Sequence, residues 1–297
     1  MLIPPYRVTL SGGGIKGLAH IGVLEVLQER GYLGAVKEYI GISAGALCAF
    51  ALCVGTTLSE LRMLVSVLDF GVIRDIEPEA ILTFSEVLGL DTGANVEKLL
   101  RAILRAKGLS PTLTFAELVA ARKGPALRVF ATDLNTCEVC EFSAAVTPEV
   151  PVCVALRASI CIPIYFQPVR HPETGHYLVD GGLVNHSPFK FLTVEEQDFT
   201  LSITFSDDHK PKEEIVGLPE YLVQLYYALQ YHANKELTHR KDHQVIFIKA
   251  GHINSLNFEM DHDARLAVLE AGRASAVEFL EHLPFHTRKP MRRFSVA

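Results

Sequence analysis

Hydrophobic positions along this chain follow two rhythms: compact apolar runs of four to six residues, and longer stretches in which apolar residues return every three or four positions. The first run, Arg7-Val8-Thr9-Leu10-Ser11, reads as a strand leading into Gly12-Gly13-Gly14-Ile15-Lys16-Gly17, after which Leu18, Ile21, Leu24 and Leu27 keep helical spacing up to Gly31. Tyr39, Ile40 and Ile42 suit a second strand, and Ala46 to Cys53 a buried helix ended by Gly55. Capping boxes at Thr57-Glu60 and Thr114-Glu117 open two further helices, with another from Asn95 to Lys107 between them. Leu127 to Asp133 returns to strand character and pairs back with Glu138 to Phe142 as a hairpin. Val152 to Ser159 reads as a short helix, and Ile162 to Val169 as an extended apolar wall stiffened by Pro163 and Pro168. His176 to Val179 is a strand ending in Asp180-Gly181-Gly182. Leu201 to Phe205 and Gln244 to Ala250 are the last strands, separated by a long helix between Leu218 and Leu237, and Asp261 caps a final helix reaching Leu280. This alternation predicts one α/β domain over residues 1–285, followed by a basic tail, 286–297, expected to be disordered with weak attraction to anionic lipid as the sharper reading.

Two strand-to-helix turns carry the candidate chemistry. Gly41-Ile42-Ser43-Ala44-Gly45 is a G-x-S-x-G, in which a sharp turn strains its central residue and tolerates only small residues two places either side. Ser43 is thereby the candidate nucleophile, at a helix N-terminus whose free N–H groups favour developing negative charge; the plainer reading is a Ser-Gly turn without chemistry. Gly12, Gly14 and Gly17 also fit G-x-G-x-x-G, the dinucleotide fingerprint, but that reading needs an acidic residue after the second strand, and Glu38 lies before it. As an oxyanion hole, the same glycine turn places donors beside the serine turn on the carboxyl edge of one sheet, so each motif explains the other. Asp180, followed by two glycines at a strand's end, faces the same edge, although an Asx turn is the commoner use of Asp-Gly. Asp133 is better read as capping the Leu134-Asn135-Thr136 turn.

Net charge of −6 removes the broad basic field that nucleic-acid binding needs, and no run of residues is apolar for long enough to span a membrane. With no basic and apolar leader at the N-terminus, the expected location is the cytoplasm. Among six cysteines, Cys48, Cys53, Cys153 and Cys161 sit in apolar runs as core residues, while Cys137 and Cys140 form a lone C-x-x-C without a second ligand pair for zinc. No calcium loop is present, so neither metal nor cofactor is expected.

Three stretches in one order, Gly12 to Gly17, Gly41 to Gly45 and Asp180-Gly181-Gly182, resemble the patatin-like phospholipases, supported by Ala131-Thr132-Asp133-Leu134 and by Ala158 to Pro163. The resemblance covers about residues 7 to 190. It implies a three-layer α/β/α sandwich with a mostly parallel central sheet and a Ser–Asp dyad. Ser43 is then nucleophile, Asp180 general base, and the backbone of Gly12, Gly13, Gly14, Ile15, Lys16 and Gly17 the oxyanion hole. Gly41 and Gly45 flank the nucleophile, and Gly181 and Gly182 follow the acid. Lys16 stands where many relatives carry arginine, keeping the charge without the planar fork. The implied substrate is a phospholipid or lysophospholipid, met at a membrane or lipid surface. A neutral-lipid or small-ester hydrolase of the same mechanism and a non-catalytic lipid- or nucleotide-binding module are the alternatives. A triad instead of a dyad would draw its histidine from His186, His232, His252 or His262, of which His186 in the Asn185-His186-Ser187-Pro188 turn comes nearest to Asp180.

Overall fold

The computed structural model describes residues 4–67, 71, 74–76, 80, 82–206, 214–217, 220–221, 224–228, 244–250, 253, 255 and 259–282. Ten strands appear among them: β1 (Arg7–Leu10), β2 (Glu38–Ile42), β3 (Gly89–Asp91), β4 (Ala126–Asp133), β5 (Glu138–Ser143), β6 (Ile164–Phe166), β7 (Val169–Arg170), β8 (Tyr177–Asp180), β9 (Thr200–Phe205) and β10 (Val245–Ile248). Eight make one sheet in the order β10-β9-β1-β2-β4-β8-β7, with β5 paired to β4, while β3 and β6 form a separate parallel pair. From β10 to β4 every pairing is parallel, as expected, and around β4, β5, β8 and β7 every pairing is antiparallel. The sheet is therefore mixed. The proline-stiffened wall, expected to be extended throughout, is so only in part: the Phe166 N–H donates back to the Ile162 carbonyl at 2.9 Å and Ile164 takes φ 72°, so a turn opens it, and its strand β6 joins β3 and not the main sheet.

Nine helices are described end to end among these residues: α1 (Leu18–Glu29), α2 (Ala44–Cys53), α3 (Leu58–Val67), α4 (Phe84–Val87), α5 (Ala94–Ala106), α6 (Phe115–Ala121), α7 (Val152–Ser159), α8 (Val194–Gln197) and α9 (His262–Glu281). Their starts follow local chemistry: Thr57 and Glu60 bond reciprocally before α3, Thr114 and Glu117 before α6, and Asp261 accepts the Ala264 N–H at 2.8 Å before α9. The expected helix at 218–237 is described only in part, with 220–221 and 224–228 helical; its remainder and the tail 286–297 lie outside the described residues.

Alternation along the strands divides the core. Val8, Leu10 and Tyr39 face the large cluster beneath α1, α2, α3, α5 and α7, which includes the fully buried Phe50, Phe115 and Phe142, each contributing about 1.5–3 kcal/mol by burial. Ile40, Ile42 and Phe130 face the other way, onto Phe189 and Leu192 of the short 3-10 turn Pro188–Phe191 and the segment after it. Helical segments thus cover both sides of the sheet, more thinly on the second. At the amino end of β2, Glu38 is gripped by Arg7 at 2.7 Å and by Arg128 at 3.1 Å, with Glu196 alongside. That network ties three strands together at the end opposite the carboxyl edge.

Candidate active site

Ser43 occupies the turn between β2 and α2 with φ 53° and ψ −125°, a conformation that costs a non-glycine residue about 1–3 kcal/mol. Its surroundings are built to hold that turn. A Cβ on Gly41 would overlap the backbone of Ala46, and one on Gly45 would overlap the Leu10 carbonyl, so both flanking positions require glycine for space. The Ser43 carbonyl accepts the N–H groups of Ala46 and Leu47 as the first bonds of α2, and its own N–H donates to Ser159 Oγ at 2.9 Å. Ser43 is 6% exposed, at the positive end of a ten-residue helix.

Asp180 reaches the same place by a route the sequence did not indicate. Along β4, residues Arg128–Asp133 pair with β5 on one edge, so β2 and β8 must share the other. β2 runs parallel to β4 and pairs up to Ile42 with Phe130, whereas β8 runs antiparallel and pairs Asp180 with Ala131. The two strands meet head to head, carboxyl end against carboxyl end. Asp180 is 1% exposed; its Oδ1 accepts the Gly182 N–H at 2.7 Å, and Oδ2 has no formed hydrogen bond. Burial pushes the carboxyl up to about 7, opposed by the nearby Ser43 hydroxyl and the Gly182 N–H, which favour the ionised form. The serine side chain therefore neighbours the carboxyl. Gly181 has no room for a Cβ against the Phe130 carbonyl.

The glycine turn between β1 and α1 sorts its own donors. Gly12 donates to the His186 carbonyl at 2.8 Å, Ile15 to the Ser255 carbonyl at 2.9 Å and Lys16 to the Gly13 carbonyl at 3.2 Å. Three of the six residues expected to form an oxyanion hole are thus already engaged through their N–H groups, which corrects that expectation for Gly12, Ile15 and Lys16. Gly17 lies inside the 3-10 turn Gly14–Gly17 and packs against Ala44. Among the described residues, the N–H groups of Gly13 and Gly14 remain without a protein acceptor. Gly14 adopts φ +56°, and a Cβ there would strike the Ser255 carbonyl. Lys16 turns its ammonium over the Phe205 ring at 5.3 Å and the Tyr227 ring at 6.0 Å.

From Ser43 an apolar cavity of about 210 Å³ extends under α1, α2, α3 and α5. Leu47, Phe50, Leu61, Val96 and Leu100 line it, with Ile160 and the wall residues Ile162, Tyr165 and Phe166 closing one side. Such a mostly apolar space, with Arg74 and Asp91 the charged residues in its lining, accepts a hydrocarbon chain.

Residues 8–193 match the profile of the family described as Patatin-like phospholipase. The chain belongs to the patatin-like phospholipase family. An uncharacterized protein of Bacillus subtilis, YqhO, is 30% identical over 289 residues, covering 91% of this chain and 96% of that protein. The probable lipid hydrolase 463L of Invertebrate iridescent virus 6 is 30% identical over 192 residues, 63% of each chain. VipD from Legionella pneumophila shares the fold at a TM-score of 0.59 and 18% identity, covering 94% of this chain and 67% of VipD. This family of hydrolases fixes the class of the protein.

In this patatin-like chain no histidine among the described residues has a hydrogen bond to the Ser43 hydroxyl or the Asp180 carboxyl. His186 is not the exposed turn residue its sequence setting suggests: its carbonyl anchors Gly12, its Nε2 lies 3.3 Å from Thr204 Oγ1, and burial together with the Lys16 charge pushes its imidazole down to about 3. His262 Nδ1 lies 3.0 Å from the Ser66 carbonyl, and His232 and His252 fall outside the described residues. Asp133 caps its turn through Asn135 and Thr136, and also meets His176 at 2.7 Å. Two site residues escaped the sequence reading, Ser159 and Cys161, whose carbonyl accepts the Asp180 N–H at 2.7 Å. Both lie in the Ala158–Pro163 stretch, and that stretch was their only signal. No helix among the described residues is long and apolar enough to cross a membrane.

Proposed function

We propose that this protein is a serine acyl hydrolase that releases fatty acid from phospholipid or lysophospholipid through an acyl-Ser43 intermediate. The observation that carries the reading is the meeting of a strained serine and a desolvated carboxyl at the mouth of an apolar cavity. Hydrolysis needs an activated hydroxyl, a base beside it and donors where charge develops. Asp180 takes the Ser43 Oγ proton as Oγ attacks the ester carbonyl carbon. The carbonyl oxygen, now negative, is held by the N–H groups of Gly13 and Gly14, near the positive end of α2. Collapse breaks the ester C–O bond, and the leaving alcohol takes the proton from Asp180. A water then gives its proton to Asp180 and adds to the acyl carbon; Ser43 departs as the protonated hydroxyl, and the fatty acid leaves. A carboxyl at about 7 suits this shuttle better than one near its ordinary value, because its basicity lies close to the working pH.

Throughout, the acyl chain occupies the apolar cavity while the alcohol portion stays outside, so a soluble ester and a lipid share one chemical step. Fluorophosphonate labelling tests the nucleophile: wild type is modified at Ser43, and Ser43→Ala is spared. Folded wild type that resists labelling would return the glycine turn to a binding role. Turnover of phospholipid, lysophospholipid and neutral ester compared side by side assigns the preferred lipid.

A further inference from the structure

The β2–β4 ladder stops at Ile42 and Phe130, because the turn lifts the next N–H, that of Ser43, away from β4. A side chain fills the missing rung. Ser159 Oγ, at 0% exposure, accepts the Ser43 N–H at 2.9 Å and donates to the Phe130 carbonyl at 2.7 Å. One step further along β4, Ala131 pairs with Asp180, and the Asp180 N–H donates at 2.7 Å to the carbonyl of Cys161, two residues beyond Ser159. The end of α7 therefore holds the backbone of both groups, one through a hydroxyl and the other through a carbonyl.

We infer that Ser159 is a positioning residue, which with the Cys161 carbonyl sets the distance and direction between the Ser43 hydroxyl and the Asp180 carboxyl. The inference rests on the proposed roles of those two residues. Only a group that accepts and donates at once can fill this rung, since the amide on one side and the carbonyl on the other are both sealed from water. Without it the strained turn loses the bond that opposes its relaxation, and Oγ swings relative to Oδ2, where small displacements reduce rate by large factors. Substrate contacts in the cavity are untouched, because the Ser159 side chain does not line it.

Ser159→Ala, Ser159→Cys and Ser159→Thr, each compared with wild type on a soluble ester well below its melting temperature, test the assignment. Expected for Ser159→Ala is a loss of about 10- to 100-fold in kcat and in the rate of fluorophosphonate labelling, with KM within about two-fold. Ser159→Thr, which keeps the hydroxyl, recovers most of the loss, and Ser159→Cys, with weaker bonds of similar size, falls between. A residue that only supports the fold lowers the melting temperature and leaves kcat per folded molecule intact; that outcome overturns the inference. If Ser159→Ala does not fold, wild-type kcat in folded Ser159→Cys overturns it equally. Failure of wild type itself to label at Ser43 refutes instead the nucleophile on which the inference stands.

Discussion

Asp180→Asn separates the chemical role of the carboxyl from its energetic burden. Raising the carboxyl from its ordinary 3.8 to about 7 means that ionising it inside the folded protein is unfavourable by about 4 kcal/mol. The sign follows from linkage: below pH 4 the carboxyl is neutral in both states, and its contribution to stability is fully retained. Between about pH 4 and 7 the unfolded chain releases the proton while the folded chain keeps it, so stability falls, and above 7 the loss is complete. Asparagine never ionises, keeps an oxygen for the Gly182 N–H, and places an amide where Oδ2 has no formed bond. Asp180→Asn should therefore match wild type near pH 4 and exceed it at pH 8 by about 2–4 kcal/mol, while losing at least ~100-fold in kcat. Urea unfolding at pH 4 to 9, read beside turnover of a soluble ester, measures both halves. A stability difference that stays flat across that range would show that the carboxyl is not desolvated, and the proposed base would lose its physical ground.

Wild-type kcat/KM should rise about ten-fold per pH unit below 7 and level off above it, as a base held at about 7 requires; a limb at 5 or below speaks against that base. Gly45→Ala forces a Cβ into the Leu10 carbonyl and should cost about 1–3 kcal/mol or more, seen as a lowered melting temperature by circular dichroism; an unchanged melt rejects the crowded turn. Val96→Phe fills part of the cavity and should leave short esters unaffected while lowering kcat/KM on long ones by roughly four-fold per excluded methylene; equal effects on both would place the acyl chain elsewhere. Activity should survive EDTA, and its abolition with recovery on adding calcium contradicts the metal-free chemistry.

What was legible in the sequence was local. Capping boxes, the α7 boundaries and the two glycine turns follow from spacing within a few residues, and the structure keeps them where they were expected. Asp180 was expected at a strand end on the serine's edge, and it is there, but by an antiparallel strand that periodicity cannot distinguish from a parallel one. Of the engaged donors in the glycine turn, Lys16 bonds locally to the Gly13 carbonyl, whereas the acceptors of Gly12 and Ile15, the His186 and Ser255 carbonyls, lie some 170 to 240 residues away and are backbone atoms without a sequence signature. Ser159 was hidden for a similar reason: a serine ending a short helix looks like many others until β4 and the serine turn are brought around it.

Strand direction also bears on how, in the proposed reaction, a carboxylate serves without an imidazole. Where a serine and its acid stand on strands that run the same way, a side chain of some length must bridge the gap between the strand ends, and a histidine on a loop supplies it. Here β2 and β8 lie on one edge of β4 and point at each other, with consecutive residues, Phe130 and Ala131, pairing to Ile42 and Asp180. Hydroxyl and carboxyl are then neighbours through the sheet itself, and an intervening ring would have to displace one of them. His186 lies behind the glycine turn with its Cβ beside Gly12, and its Nε2 is directed to Thr204. In the proposed reaction the proton consequently moves directly between Oγ and Asp180, and the burial that raises this carboxyl gives it the basicity that histidine has without help.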